Sequence, residues 1–150
     1  MKWRILFVCG GNTCRSPMAK VILEQKLAEL GWTDRFEVDS SAYDAPTLPT
    51  ATKEAREAIT TLYGQDILAS HKSKKLTAEL AQQADLILVM SARMKEGLPV
   101  DKTYTLKGFA GTDGDIPDPY GGDVNVYLKA ANAISGTIDK IIPKLLISPR

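Results

Sequence analysis

Cysteine is scarce in this chain: there are two, Cys9 and Cys14, and both lie on one short segment. A secreted disulfide scaffold needs more of them, spread along the sequence. Charge of one sign is missing as well. Nineteen Lys and Arg against 18 Asp and Glu leave a formal net charge of +1, which excludes a broad basic surface built for nucleic acid. No apolar run approaches the roughly 20 residues of a membrane span. Met1-Lys2-Trp3-Arg4 leads straight into an apolar run with no small-residue cleavage site, so the sequence predicts a cytoplasmic protein without a signal peptide. Internal repeats, low-complexity tracts and interdomain linkers are absent too. The 150 residues, 44% hydrophobic and 25% charged, therefore read as a single globular domain, residues 1–150, with a core of ordinary size.

What is present is an alternation of apolar patterns. Ile5-Leu6-Phe7-Val8 is a continuous apolar run closed by Gly10-Gly11, the mark of a strand buried on both faces. Ser16-Pro17 predicts a helix start, with a hydroxyl N-cap and proline at the first helical position. Ala19, Ile22, Leu23, Leu27 and Leu30 follow at helical spacing, and Gly31 supplies the stop. A second strand is expected at Phe36–Ser40, a loop at 43–49, and helices at 51–63 and 76–83. Leu86-Ile87-Leu88-Val89-Met90 is the clearest buried strand; Tyr104-Thr105-Leu106 is a weaker one, followed by a loop from Gly108 to Asp123. A last helix starts near Val124 and buries Tyr127, Leu128, Ala131, Ile134, Ile138, Ile141, Ile142 and Leu145, with Pro143 expected to kink or end it. The short basic run of His71, Lys72, Lys74 and Lys75 reads as a solvated helix edge. Strands alternating with helices predict an α/β fold, a parallel sheet covered by helices on both faces. In such folds ligands sit beyond the carboxyl ends of the strands.

The segment at the end of the first strand carries the chemistry. Cys9-Gly10-Gly11-Asn12-Thr13-Cys14-Arg15-Ser16 separates a cysteine from an arginine by five residues, two of them glycine. A loop of that length entering a helix can curl until its backbone N–H groups converge on an anion, and the helix N-terminus adds partial positive charge. Arg15 reaches back with a planar donor pair matched to phosphate. Cys9 then sits beneath the phosphorus, in surroundings that favour a thiolate. Two other phosphate loops are excluded, because the segment lacks a Gly-Lys-Ser/Thr ending and the spaced glycines of a dinucleotide site. Asp113, Asp115, Asp118 and Asp123 crowd the late loop. A calcium loop does not fit, since its twelve-residue spacing and closing glutamate are missing. Asp118 differs from the others in the stiff Pro119 and the aromatic Tyr120 that follow it. It is the candidate general acid.

Val8-Cys9 through Pro17, together with Asp118-Pro119-Tyr120, strongly resembles the low-molecular-weight protein tyrosine phosphatases, and the resemblance extends over nearly the whole chain, including Asp39-Ser40, His71 and Asp85-Leu86-Ile87-Leu88. It implies a flavodoxin-like domain with a four-stranded parallel sheet. Cys9 would be the nucleophile, forming a phosphocysteine. Arg15 and the amides of Gly10, Gly11, Asn12, Thr13 and Cys14 would hold the phosphate. Asp118 would protonate the leaving group and then activate water. Ser16 matches a hydroxyl bonded to the thiolate, while Asn12, Ser40 and His71 match polar groups that hold the loop in its curl. Tyr120 would wall the substrate. Cys14 is either a small buried residue or, as the family favours, the partner in a reversible disulfide that protects Cys9. No cofactor or metal is implied. The partners are a phosphorylated protein or peptide and the inorganic phosphate released from it; neither nucleic acid nor membrane is expected, and the chain reads as a monomer.

Phosphotyrosine is the family's default substrate. Thr13, where many members carry a branched apolar residue, and Gly121, where many carry a second aromatic, look like the bacterial protein-arginine phosphatase branch. A hydroxyl at Thr13 could orient a guanidinium leaving group or its attacking water, so phosphoarginine is the alternative. Arsenate reduction on the same fold calls for further resolving cysteines, which this chain does not have. A catalytically dead phosphoprotein-binding module would be expected to have lost Cys9, Arg15 or Asp118, and all three are present.

Overall fold

The computed structural model describes residues 2–147. Four parallel strands, β1 (Trp3–Cys9), β2 (Phe36–Ala42), β3 (Leu86–Val89) and β4 (Thr103–Thr105), form one sheet in the order β2-β1-β3-β4. The central strands are apolar at successive positions because both faces are covered. Ile5, Phe7, Leu86 and Leu88 pack in one cluster; Leu6, Val8, Ile87 and Val89 pack in the other. The larger cluster lies under α1 (Arg15–Glu29), α2 (Lys53–Tyr63) and α5 (Val124–Leu146). The smaller takes Ala81 of α3 (Ala78–Gln83) and Met94 of the 3₁₀ turn Ala92–Lys95. The expected α/β fold, a four-stranded parallel sheet between helices, is what the chain adopts.

Local chemistry moves several boundaries. The helices expected from residues 51 and 76 begin later, at Lys53 and Ala78, because Thr52 and Thr77 stand outside as caps; their hydroxyls accept from Ala55 N (3.2 Å) and Leu80 N (3.1 Å). The expected Ser16 cap is wrong. Helix α1 begins at Arg15 with Cys14 in the N-cap position and no side-chain cap, because the Ser16 hydroxyl is already engaged by Cys9 and Asn12. Pro17 still falls in the first turn, where a missing N–H leaves no helical bond unmade. At the other end Gly31 takes the left-handed conformation (φ 73°), as a stop residue should.

The short strand β4 lies one residue earlier than expected, and Leu106 opens a one-turn helix, α4 (Leu106–Phe109), so the late loop starts only at residue 110. The basic run at 71–75 is not a helix edge. It is extended chain beside the end of β2, with Ala42 N bonded to Lys74 O (2.8 Å) and Leu76 N to Ala42 O (2.8 Å). Its backbone is needed there by the loop that follows β1, where Lys74 N donates to Asn12 Oδ1. Pro143 does not end α5, which continues to Leu146. Proline deprives the Asp139 carbonyl of its partner, but both residues face water while Ile141 and Leu145 are buried on either side.

Candidate active site

Strand order reverses between β1 and β3, and Cys9 ends β1 at that switch point, where an open α/β sheet leaves a crevice. The root of the loop is fixed by main-chain bonds that continue past the strand. Tyr43 N donates to Cys9 O (2.8 Å) and Asp44 N to Gly10 O (2.9 Å). From Gly10 to Ser16 the amides find no backbone acceptor among the described residues. Buried N–H groups rarely go unpaired, and a run of them in a curled loop has the geometry to receive an anion.

Asn12 holds the curl. It is fully buried and has φ 56°, a left-handed conformation that asparagine tolerates better than most residues. Its Nδ2 donates to Ser16 Oγ (2.8 Å) and Ser40 Oγ (3.0 Å), and its Oδ1 accepts from Lys74 N (3.1 Å). Its carbonyl is met by His71 Nε2 (2.8 Å) and Ser73 Oγ (3.0 Å). Burial, first, and then the nearby Lys20 and Lys74 charges push the His71 pKa below its ordinary 6.5. The ring is therefore neutral at pH 7, with its Nε2–H donated to the carbonyl.

Ser16 Oγ lies 2.9 Å from Cys9 Sγ. Since that oxygen already accepts from Asn12, its own proton is left for the cysteine sulfur. Arg15, 5% exposed, is clamped from two loops: Nη1 donates to Ser91 Oγ (3.0 Å), beyond the end of β3, and to Ile116 O (2.7 Å). Ile116 N in turn donates to Met90 O (2.9 Å). This tie brings the late loop over the pocket, and Asp118 Oδ2 stands 3.8 Å from Arg15 Nη2. The Asp118 side chain is 58% exposed, within reach of both pocket and solvent. Pro119 O accepts from Gly122 N (2.8 Å) across a turn whose third residue, Gly121, has φ 87°. That backbone requirement accounts for glycine at 121. Two of the neighbouring aspartates serve the fold: Asp115 accepts from Ala92 N and Asp123 caps α5 through Val126 N.

Cys9, Gly10, Gly11, Thr13, Cys14, Arg15, Asp118 and Tyr120 line one cavity of about 260 Å3. Every site residue singled out in the sequence either lines that cavity or, like Asn12, Ser16, Ser40 and His71, braces it from behind. Cys14 Sγ faces Tyr127 Oη (3.2 Å), with Thr13 and Thr52 hydroxyls at 3.5 and 3.8 Å. Burial raises its pKa despite those bonds, so Cys14 stays a thiol at neutral pH.

Residues 4–146 match the family model for low molecular weight phosphotyrosine protein phosphatase. The chain belongs to that family. A protein-arginine-phosphatase of Geobacillus stearothermophilus is 40% identical to it over 97% of each chain. The low molecular weight protein tyrosine phosphatase from T. tengcongensis superposes with a TM-score of 0.88, 42% identical over 95% of this chain and 99% of its own. A serine-substituted YwlE arginine phosphatase with its active-site serine phosphorylated superposes with a TM-score of 0.89, 32% identical over 98% of each chain. In this member of the low-molecular-weight family, sequence reasoning missed Ser91, Ile116, Ser73, Thr52 and Tyr127. Ser91 had a usable signal, as a hydroxyl just past the carboxyl end of a buried strand. The Ile116 carbonyl had none.

Proposed function

We propose that the protein hydrolyses phosphorylated protein side chains through a cysteinyl-phosphate intermediate, with phosphotyrosine as the substrate. The observation that carries this reading is the meeting of Cys9, Arg15 and Asp118 in one cavity around a curl of amides with no backbone acceptor among the described residues. Cys9 Sγ attacks phosphorus opposite the leaving oxygen. The three equatorial oxygens gather charge in the transition state and are held by Arg15 and the loop amides. Asp118 donates its proton to the departing oxygen, which leaves as a neutral hydroxyl. The Asp118 carboxylate then takes a proton from water, the water oxygen displaces sulfur from phosphorus, and Cys9 returns as thiolate while inorganic phosphate departs. All the groups come from one chain, which supports a monomer as the working unit. Two free thiols on one short segment stay reduced most readily in a reducing compartment, which supports the cytoplasm.

Phosphoarginine is a second reading with its own observation. Thr13, 4% exposed, lines the cavity where it can meet a leaving group. The relatives include protein-arginine phosphatases. The test is phosphate release from matched phosphotyrosine and phosphoarginine peptides, with Cys9→Ser as the inactive control. Release from phosphotyrosine alone leaves Thr13 without a specificity role. A strong preference for phosphoarginine moves the protein to the second reading, with Thr13→Ile as the variant expected to reverse it. Phosphate binding without release from either peptide refutes the enzyme.

A further inference from the structure

The mouth of the cavity carries an ion pair that the chemistry above does not use. Arg93 Nη2 lies 2.6 Å from Asp44 Oδ2, and both side chains are more than half exposed. They come from different segments. Asp44 follows β2 and is pinned by its amide to Gly10 O, while Arg93 belongs to the 3₁₀ turn Ala92–Lys95. That turn follows Ser91 directly, and Ser91 holds Arg15, so Arg93 is kept in register with the phosphate clamp. Its guanidinium lies 5.7 Å from the Tyr43 ring centre. The pair also sits on the loop itself: a β-carbon at Gly10 would be 3.4 Å from Asp44 Oδ2 and 3.7 Å from Arg93 Nη2.

Arg15 is buried and committed to the phosphoryl group. Arg93 is the cation left at the rim of the same cavity, beside Asp118 and Tyr120. A peptide whose phosphorylated residue reaches Cys9 must lay its neighbouring residues over these exposed groups. Exposed ion pairs hold each other weakly, so a carboxylate brought in by the peptide exchanges with Asp44 at little cost. We propose that Arg93 is a specificity residue: it releases Asp44 to pair with an acidic side chain beside the phosphorylated residue, so that acidic phosphopeptides are preferred. Asp44 holds the guanidinium in place until then and competes with the incoming group. The inference rests on the phosphatase reading above.

The test measures kcat/KM on phosphopeptides that differ only at the flanking positions, carrying Glu, Gln or Lys. Wild type should prefer Glu over Lys by about 2–5-fold, mainly through KM, with the ratio shrinking as salt rises. Arg93→Met should level the series, and Arg93→Glu should reverse it in favour of Lys. Asp44→Asn removes the competitor and should raise the preference for Glu. A plain brace between two loops would behave differently, with Arg93→Met and Asp44→Asn slowing all three peptides alike. That result, or a wild-type ratio near one, overturns the proposal while leaving the phosphatase standing. No release from any peptide by wild type overturns the phosphatase reading and this one with it.

Discussion

Replacing Asn12 by alanine removes the side chain around which the loop from Cys9 to Arg15 is wound. Three hydrogen bonds go with it: to Ser16 Oγ, to Ser40 Oγ and from Lys74 N. Net contributions of about 0.5–1.5 kcal/mol each apply here, and the higher end is appropriate because the Ser16 and Ser40 hydroxyls stay buried. Alanine at φ 56° adds a left-handed backbone cost of about 1 kcal/mol that asparagine largely avoids. Together the loss is about 3–5 kcal/mol. For a chain of this length that lowers Tm by roughly 6–20 °C. The amides should lose their convergence as well, so kcat/KM on an aryl phosphate should fall at least about tenfold. Thermal unfolding and steady-state kinetics on one preparation read both effects. Asn12→Gly separates the two contributions: it restores backbone freedom without the bonds, and should recover about 1 kcal/mol relative to alanine. An Asn12→Ala protein melting within about 2 °C of wild type, with kcat/KM nearly unchanged, would refute the reasoning.

Asp118→Ala should slow turnover by about 10²–10⁴-fold with poor leaving groups and much less with good ones; equal slowing across a leaving-group series argues against a proton donor. The folded-state pKa of His71 is lowered by burial, so the folded protein binds this proton less readily than the unfolded chain. Its contribution to stability is complete above about pH 6.5 and is lost as pH falls below that through the folded value. The Tm advantage of wild type over His71→Gln should therefore shrink between pH 8 and 5, and parallel curves would contradict this. Hydrogen peroxide should convert Cys9 to a sulfenic acid, with which the Cys14 thiol condenses, releasing water and leaving a disulfide that dithiothreitol reverses. A peptide map of the oxidised protein without a Cys9–Cys14 bridge removes that role from Cys14.

Features that depend on near neighbours were legible before any coordinates. The apolar runs at 5–8 and 86–89 are strands because both faces of a parallel sheet are covered, and the spacing from Cys9 to Arg15 is itself the length of the loop. The misreadings share a cause. Ser16-Pro17 has the form of an N-cap, but Cys9 and Asn12, earlier in the curled loop, claim the hydroxyl. His71 to Lys75 has the charge of a solvated helix, but β2 and Asn12 claim its backbone. Pro143 disrupts a helix locally, yet burial of Ile141 and Leu145 carries α5 past it.

The sequence by itself determined the α/β alternation and the loop at the end of the first strand that carries Cys9 and Arg15, since each is written within a few consecutive residues. Only the tertiary structure decided what those groups rest on. Asn12 is held by Ser40, His71, Ser73 and Lys74, between 28 and 62 residues away. Arg15 is aimed by Ser91 and Ile116, 76 and 101 residues away, and Cys14 is sealed by Tyr127, 113 residues away. Those partners are set by the order β2-β1-β3-β4, which brings the ends of distant strands to one crevice. Strand order follows from how the crossover helices bury their apolar faces, a property of the whole chain that no local pattern contains.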